Sequence, residues 1–372
     1  MSAICGVNRD NQSLIERVVN EMFHRGPDQS GSYRDEHISL AHRRLSIIDL
    51  SENARQPLSN EDGTLRLVLD GEIYNYQALK SMLTAKGHIF KSNSDAEVVV
   101  HAYEEYAEEC LSHLKGIFAL ALWDLKKRKL FIARDRLGVK PIYYYHKNGM
   151  FAFASEMKAL MEIPEVERNL NRQAIFDYLG FEFVPAPQTM CQDVYKLAAG
   201  HYATLQENRL QLNNYWDLNF EPSNLSYGEA VEKTRAMLDE SVKNQLVSDV
   251  PIGVFLSGGL DSSTLTAMMR KHISGPIKSF TIGYPDKSFS ELDYAKTVSD
   301  IFAKEHNVLM IDDVANNIIE KVLWHLDEPM TDLSTVPFYL ICGEAKKQVS
   351  VCLSGEGGDE LFAGYDRFKA SK

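Results

Sequence analysis

The chain has 372 residues, 44% hydrophobic and 25% charged, which suits about two globular domains with separate cores. Its formal net charge of −12 argues against a broad basic surface for nucleic acid or anionic lipid, because such surfaces need clustered Lys and Arg. Five cysteines without CxxC spacing suggest neither a zinc site nor a disulfide framework, and no apolar run reaches membrane-spanning length, so an untargeted cytoplasmic protein is expected.

In chain order, short β-type runs at 37–48, 65–69, 117–123, 130–133 and 142–154, the last around Lys147-Asn148-Gly149, alternate with helical periodicity at 13–22, 76–85 and 95–106. This pattern predicts a sheet-rich α+β domain over 1–205. Several polar clusters sit on its apolar strands. Arg44 has the guanidinium that could pair with a ligand carboxylate bidentately, and Glu72 or Asp95 could hold an ammonium. Together they would recognise the two charged ends of a free amino acid. Internal ion pairs that lock loops are the alternative, and for Arg134 with Asp135 the better one.

Residues 206–227, polar and rich in Asn with Pro222 and Ser223, predict a linker. From 228 to 372 the rhythm becomes strand then helix. Strands are expected at 254–256, 277–282, 306–311 and 349–353, and helices at 264–271, 292–304 and 314–325. A parallel sheet with helices on both faces follows, with ligands at the strands' carboxyl ends.

Two loops sit at such ends. Ser257-Gly258-Gly259-Leu260-Asp261-Ser262-Ser263 joins a buried strand to a helix, so glycine amides can approach an anion without a Cβ in the way and the helix N-terminus adds partial positive charge. The hydroxyls of Ser262 and Ser263 could add donors, or could simply cap the helix. Ser354-Gly355-Glu356-Gly357-Gly358-Asp359-Glu360 follows another apolar strand. Asp261 and Asp359 could meet across a cleft and hold Mg²⁺ on phosphate oxygens, although acidic residues also favour a solvated helix start.

These loops resemble the ATP-pyrophosphatase superfamily, and their order resembles its asparagine synthetase branch, as does the segment with Glu328-Pro329 and Asp332. The resemblance implies an adenine nucleotide alpha hydrolase-like fold in which Leu256, Ser257, Ile282, Ser354 and Gly355 surround ATP. It implies that Asp261 and Asp359 serve Mg²⁺ and pyrophosphate, with Glu356 catalytic near the reacting carboxylate. The first half is similar to class II glutamine amidotransferase domains, which implies an N-terminal nucleophile fold in αββα layers. By that resemblance Arg44 anchors the glutamine carboxylate, Ile47 and Ile48 give backbone contacts, Glu72 and Asp95 meet the amino group, and Gly71 donates an oxyanion NH.

Cys5 is matched to the family nucleophile through Ile4-Cys5-Gly6-Val7, although that chemistry needs a terminal cysteine and Met1 to Ile4 precede it. Asp70 stands where the family has an oxyanion-stabilising Asn. The resembled synthetase domain continues beyond Gly364-Tyr365, so 228–372 is expected to be truncated at its C-terminus. The expected reaction is AMP-forming amidation of aspartate, with glutamine or free ammonia as donor, no nucleic acid or membrane partner, and a homodimer among the allowed assemblies. The alternatives are a synthetase for another carboxylate in saccharide or secondary-metabolite biosynthesis, or a truncated non-catalytic paralogue.

Overall fold

The computed structural model describes residues 1–286, 290–311, 316–332 and 334–370. It has two compact units, 1–221 with 326–331 and 222–325 with 332–372.

Eleven strands build the first unit: β1 Ala3–Val7, β2 Gln29–Arg34, β3 Ser39–Arg44, β4 Leu65–Ile73, β5 Gly116–Asp124, β6 Lys129–Arg134, β7 Tyr143–Lys147, β8 Met150–Ala154, β9 Val194–Lys196, β10 His201–Gln206 and β11 Arg209–Asn214. They form two antiparallel sheets, ordered β2-β3-β1-β8-β7-β9 and β11-β10-β6-β5-β4. Side chains alternate across each strand, so each sheet has two apolar faces to bury. Ile4, Leu40, Val68, Ala119, Ile132 and Phe153 meet between the sheets. Ala3, Val7 and Ala154 instead face helix Gln12–Glu21, while Leu67, Leu120 and Phe131 face helices Tyr76–Ala85 and Glu97–Tyr106. The layers are therefore helix, sheet, sheet, helix, as expected.

Two differences have clear causes. Residues 209–214, expected within a linker, form edge strand β11, paired with β10 through Glu207 and Asn208, both at positive φ (50° and 60°). Such a two-residue turn matches strand twist, but β11 is mostly exposed, so its side chains read as linker. Strand β2 was not anticipated either, since Gln29-Ser30-Gly31-Ser32-Tyr33-Arg34 shows no apolar alternation.

The second unit carries β12 Ile252–Phe255, β13 Ile277–Gly283, β14 Lys304–Met310 and β15 Val351–Leu353, all parallel and ordered β14-β13-β12-β15. Helices Tyr227–Gln245 and Leu260–His272 cover one face through Val242, Met268 and Met269. Helix Thr335–Ala345 covers the other through Ile341 and Ala345. The helix expected at 292–304 ends as an α-helix at Val298 and closes with a wider π turn, Ser299–Ala303. The start of the helix expected at 314–325 lies outside the described residues; its described part is Asn316–Leu326. Among the described residues no helix is long and apolar enough to cross a membrane.

Candidate functional site

In the second unit the chain moves outward from β12 through β13 to β14, then returns to place β15 on β12's other side. This reversal opens a crevice beyond the carboxyl ends of β12 and β15, the usual ligand position in open parallel sheets. Both glycine loops start there. A cleft of about 810 Å³ is lined by Leu256, Ser257, Gly259, Asp261, Ser262, Ile282, Ser354, Gly355, Glu356 and Asp359, so most of the expected nucleotide and metal residues share one cavity.

The first loop is held from below. Leu256 NH donates to the Phe280 carbonyl at 2.9 Å, and Thr281 Oγ1 donates to the Leu256 carbonyl at 2.6 Å. Gly258 has φ of +86°, and a Cβ there would lie 2.5 Å from the Ala295 amide nitrogen. Glycine is therefore required on steric grounds alone. The Ser262 hydroxyl is engaged within the loop, with Ser257 NH at 3.2 Å, Ser257 Oγ at 3.0 Å and the Gly259 carbonyl at 3.3 Å. It shapes the loop. Ser263 Oγ, by contrast, is buried without a hydrogen-bond partner, which is costly unless something occupies it. A Cβ on Gly358 would sit 2.4 Å from Asp261 Oδ2, so glycine there leaves the space this carboxylate uses.

In the first unit, alternation decides which residues face the space between the sheets. Val68 faces inward on β4, and Asp70 and Glu72 follow it at steps of two; Leu40 does so on β3, followed by His42 and Arg44. Arg44 is buried and donates to Gln29 Oε1 (2.8 Å) and to the carbonyls of Ile48 (2.9 Å) and Asp49 (2.6 Å), which fixes its fork. Ile48 is buried, and Ile47 packs part-buried beside it. Asp95 Oδ2 accepts from Ile73 NH at 2.8 Å. Burial pushes its carboxyl up to about 6, and burial followed by the Asp95 charge pushes Glu72 well above the usual carboxylate range. Two crowded carboxylates with raised affinity for protons form a site suited to a cation. Gly71, at φ +146°, must lack a Cβ, which would lie 2.0 Å from the Ile117 carbonyl.

Asp70 does not present a bare charge. It is fully buried and paired with Arg25 at 2.6 Å and Lys140 at 3.6 Å. Burial alone would raise its pKa, but Lys140 and Arg25 outweigh that and hold it below the ordinary value. Arg25 also reaches Glu156 at 3.2 Å.

Cys5 is a correction. On β1 it shares its face with Ala3 and Val7, packs against helix Gln12–Glu21 and is 0% exposed. Burial pushes its thiol far above the ordinary range, the opposite of an activated nucleophile. Ile4 points the other way, into the space between the sheets. Ser2, two residues before Ile4, is on that side: its Oγ accepts from Leu45 NH at 3.3 Å and its carbonyl accepts from Arg25 Nε at 2.8 Å. The Met1 amine, lowered to about 5 by burial, lies within electrostatic reach of Asp70, Lys140, Arg25 and Glu72. Strand parity was the signal that could have pointed to Ser2, since Cys5 has the same parity as Val7.

Arg134 and Asp135 do lock loops, but through backbone groups and not with each other. Arg134 donates to the carbonyls of Gly138, Lys140 and Leu197, and Asp135 accepts from the amides of Phe118, Leu137, Val139 and Lys140. Glu328 lies in the 326–331 segment of the first unit, where it accepts from Met190 NH at 2.8 Å and pairs with Lys196 at 2.5 Å.

Residues 1–216 match the family model for a glutamine amidotransferase domain, and residues 233–372 that for asparagine synthase. Asparagine synthetase [glutamine-hydrolyzing] 1 of Bacillus subtilis is 39% identical over 97% of this chain and 57% of its own length. Asparagine synthetase [glutamine-hydrolyzing] 3 of the same organism is 34% identical over 96% of this chain and 61% of its own. A relative from Methanocaldococcus jannaschii is 34% identical over 97% of this chain and 76% of its own length. The chain thus spans roughly three-fifths of the two Bacillus relatives.

Proposed function

The chain belongs to the glutamine-hydrolysing asparagine synthetase family, and from that premise we propose that it serves an ATP-dependent, AMP-forming ligase that converts aspartate to asparagine in the cytoplasm. The observation that carries this reading is the cleft at the β12/β15 reversal, where two glycine–carboxylate loops line one cavity. ATP is the cosubstrate. The amides of the Ser257–Ser263 loop receive its pyrophosphate part, and Leu256, Ile282, Ser354 and Gly355 enclose the rest. Asp261 and Asp359 would hold Mg²⁺, an oxygen-seeking ion that neutralises phosphate charge when bound. Glu356 stands near the accepting carboxylate. That carboxylate attacks the α-phosphorus and expels pyrophosphate; ammonia then takes the acyl group and releases AMP.

Calorimetric titration with Mg-ATP tests this. Asp261→Ala and Gly258→Val should each weaken binding at least about tenfold, or about 1.4 kcal/mol. Binding equal to the parent's would overturn the phosphate-loop assignment.

In the first unit we infer a glutamine pocket in which Arg44 takes the α-carboxylate, with Ile47 and Ile48 lining it and Gly71 near the side-chain carbonyl. Glu72 and Asp95 take the α-ammonium. Ser2, and not Cys5, is the nucleophile-position residue, and its hydroxyl gains a neighbouring base only where its own α-amine is free. With a hydroxyl in place of a thiol and Asp70 committed to Arg25 and Lys140, hydrolysis should be slow and free ammonia the preferred donor. Ser2→Ala should abolish residual glutamate release while Cys5→Ala leaves it unchanged; the reverse result would restore Cys5.

A further inference from the structure

A second cluster in the first unit converges on an imidazole-lined centre. His101 sits on helix Glu97–Tyr106, is 0% exposed, and neither of its ring nitrogens has a hydrogen-bond partner. Its Nδ1 lies 3.5 Å from Glu61 Oε2 and 3.9 Å from Glu104 Oε2. His88 Nδ1 lies 3.6 Å from Glu61 Oε1 and 3.7 Å from the same Glu104 oxygen. One ligand atom from each of the four residues falls within 4.8 Å of the others. A tetrahedral zinc ion with bonds of about 2.0–2.1 Å has ligand–ligand edges of roughly 3.3–3.4 Å, so the four histidine–glutamate edges of 3.5–3.9 Å close by a few tenths of an ångström, and the widest edge, no longer than 4.8 Å, by at most about 1.4 Å.

The outer partners point the same way. Metal-ligating histidines usually turn their second nitrogen to a carboxylate, which fixes the tautomer and leaves the first nitrogen's lone pair free. Here Nε2 of His88 meets Glu105 at 3.1 Å, and Nε2 of His101 faces Glu97 at 3.8 Å. Glu97 is itself fixed, accepting from Lys91 NH, Ser92 NH and Ser92 Oγ. The inner carboxylates are oriented too: Glu61 accepts from Ile89 NH at 2.7 Å and Glu104 from Asn60 Nδ2 at 3.2 Å.

We propose that Glu61, His88, His101 and Glu104 form a structural zinc site. Two imidazoles and two carboxylates suit Zn²⁺ better than Mg²⁺, and four protein ligands leave no open position for catalysis. Glu61 and Glu104 are part-exposed and give the ion a route in. The ion joins the turn at 60–63, the loop at 88–92 and helix Glu97–Tyr106, and through Glu97 and Ser92 it steadies the approach to Asp95.

The test uses the whole chain, stripped with chelator and dialysed against Zn²⁺, with metal content measured by mass spectrometry. The parent should retain one more equivalent than His88→Ala or Glu104→Gln, the latter at a partly solvent-facing position, and Zn²⁺ should raise the parent's melting temperature but not theirs. Co²⁺ should give the visible bands of a tetrahedral ion in the parent alone. Equal metal content in parent and variants, or an octahedral Co²⁺ spectrum in the folded parent, would overturn the proposal and leave the cluster as histidine–carboxylate ion pairs.

Discussion

Asp95 and Glu72 set the electrostatics of the proposed glutamine pocket, and with their raised pKa values glutamine binding there would be a proton-linked event. An ordinary Asp titrates near 3.9, whereas burial lifts Asp95 to about 6, so between these values the native state holds a proton that the unfolded chain has lost. Stability from this group is therefore present at low pH and is lost as pH rises through about 6. A bound α-ammonium offsets the ionised pair. Stabilisation by glutamine, read as a melting-temperature shift, should grow from about pH 5 to pH 7 and lose that trend in Asp95→Asn. A flat profile in the parent would contradict the assignment of these carboxylates. At Cys5 the expectation is inertness: burial and a raised pKa leave almost no accessible thiolate, so iodoacetamide should label it only after unfolding.

Strand β4 pairs with β5 along its whole length, and Gly71 lies opposite Phe118 in that ladder. Gly71→Ala would push a Cβ into the Ile117 carbonyl and strain a backbone at φ +146°, so β4 must shift or unpair. A loss of about 1–3 kcal/mol is expected in chemical denaturation, with glutamine affinity falling because Asp70 and Glu72 flank the displaced residue. Unchanged stability would mean that β5 yields more readily than a paired strand should. The β10–β11 hairpin shows why element boundaries were only partly legible. A continuous apolar run marks buried strands such as β5, whereas edge strands such as β11 and β2 expose polar side chains and are recognised only by their backbone pairing.

Across the whole chain, the short segment 326–331 belongs to the first unit although its neighbours on both sides belong to the second. Asp327 accepts from Met157 NH at 2.6 Å and pairs with Lys158 at 2.8 Å, and Glu328 pairs with Lys196 at 2.5 Å. These are largely buried contacts, and removing one partner of a buried pair typically costs about 3–5 kcal/mol. Residues 1–221 expressed alone should therefore melt below the same unit in the full chain. In the full chain, Asp327→Asn should speed hydrogen exchange at the Met157 amide without affecting β12 and β13. Exchange unchanged at Met157 would show that the Asp327 carboxylate does not protect this amide.

By itself the sequence determined the sheet-rich α+β class of the first unit, the parallel sheet of the second and both glycine–carboxylate loops, because periodicity, glycine placement and motif order are local properties; the layering of the first unit was implied by the family resemblance. The sequence also marked Arg44, Glu72 and Asp95, whose charges in apolar surroundings demand partners. Tertiary structure alone decided what those charges meet. It placed Arg25 and Lys140 on Asp70, turned Cys5 into the helix-facing core, committed Ser262 to its own loop and gathered Glu61, His88, His101 and Glu104 around one centre. Each of these outcomes depends on which face of a strand or helix meets which neighbour, and that follows from the packing of residues far apart in the chain.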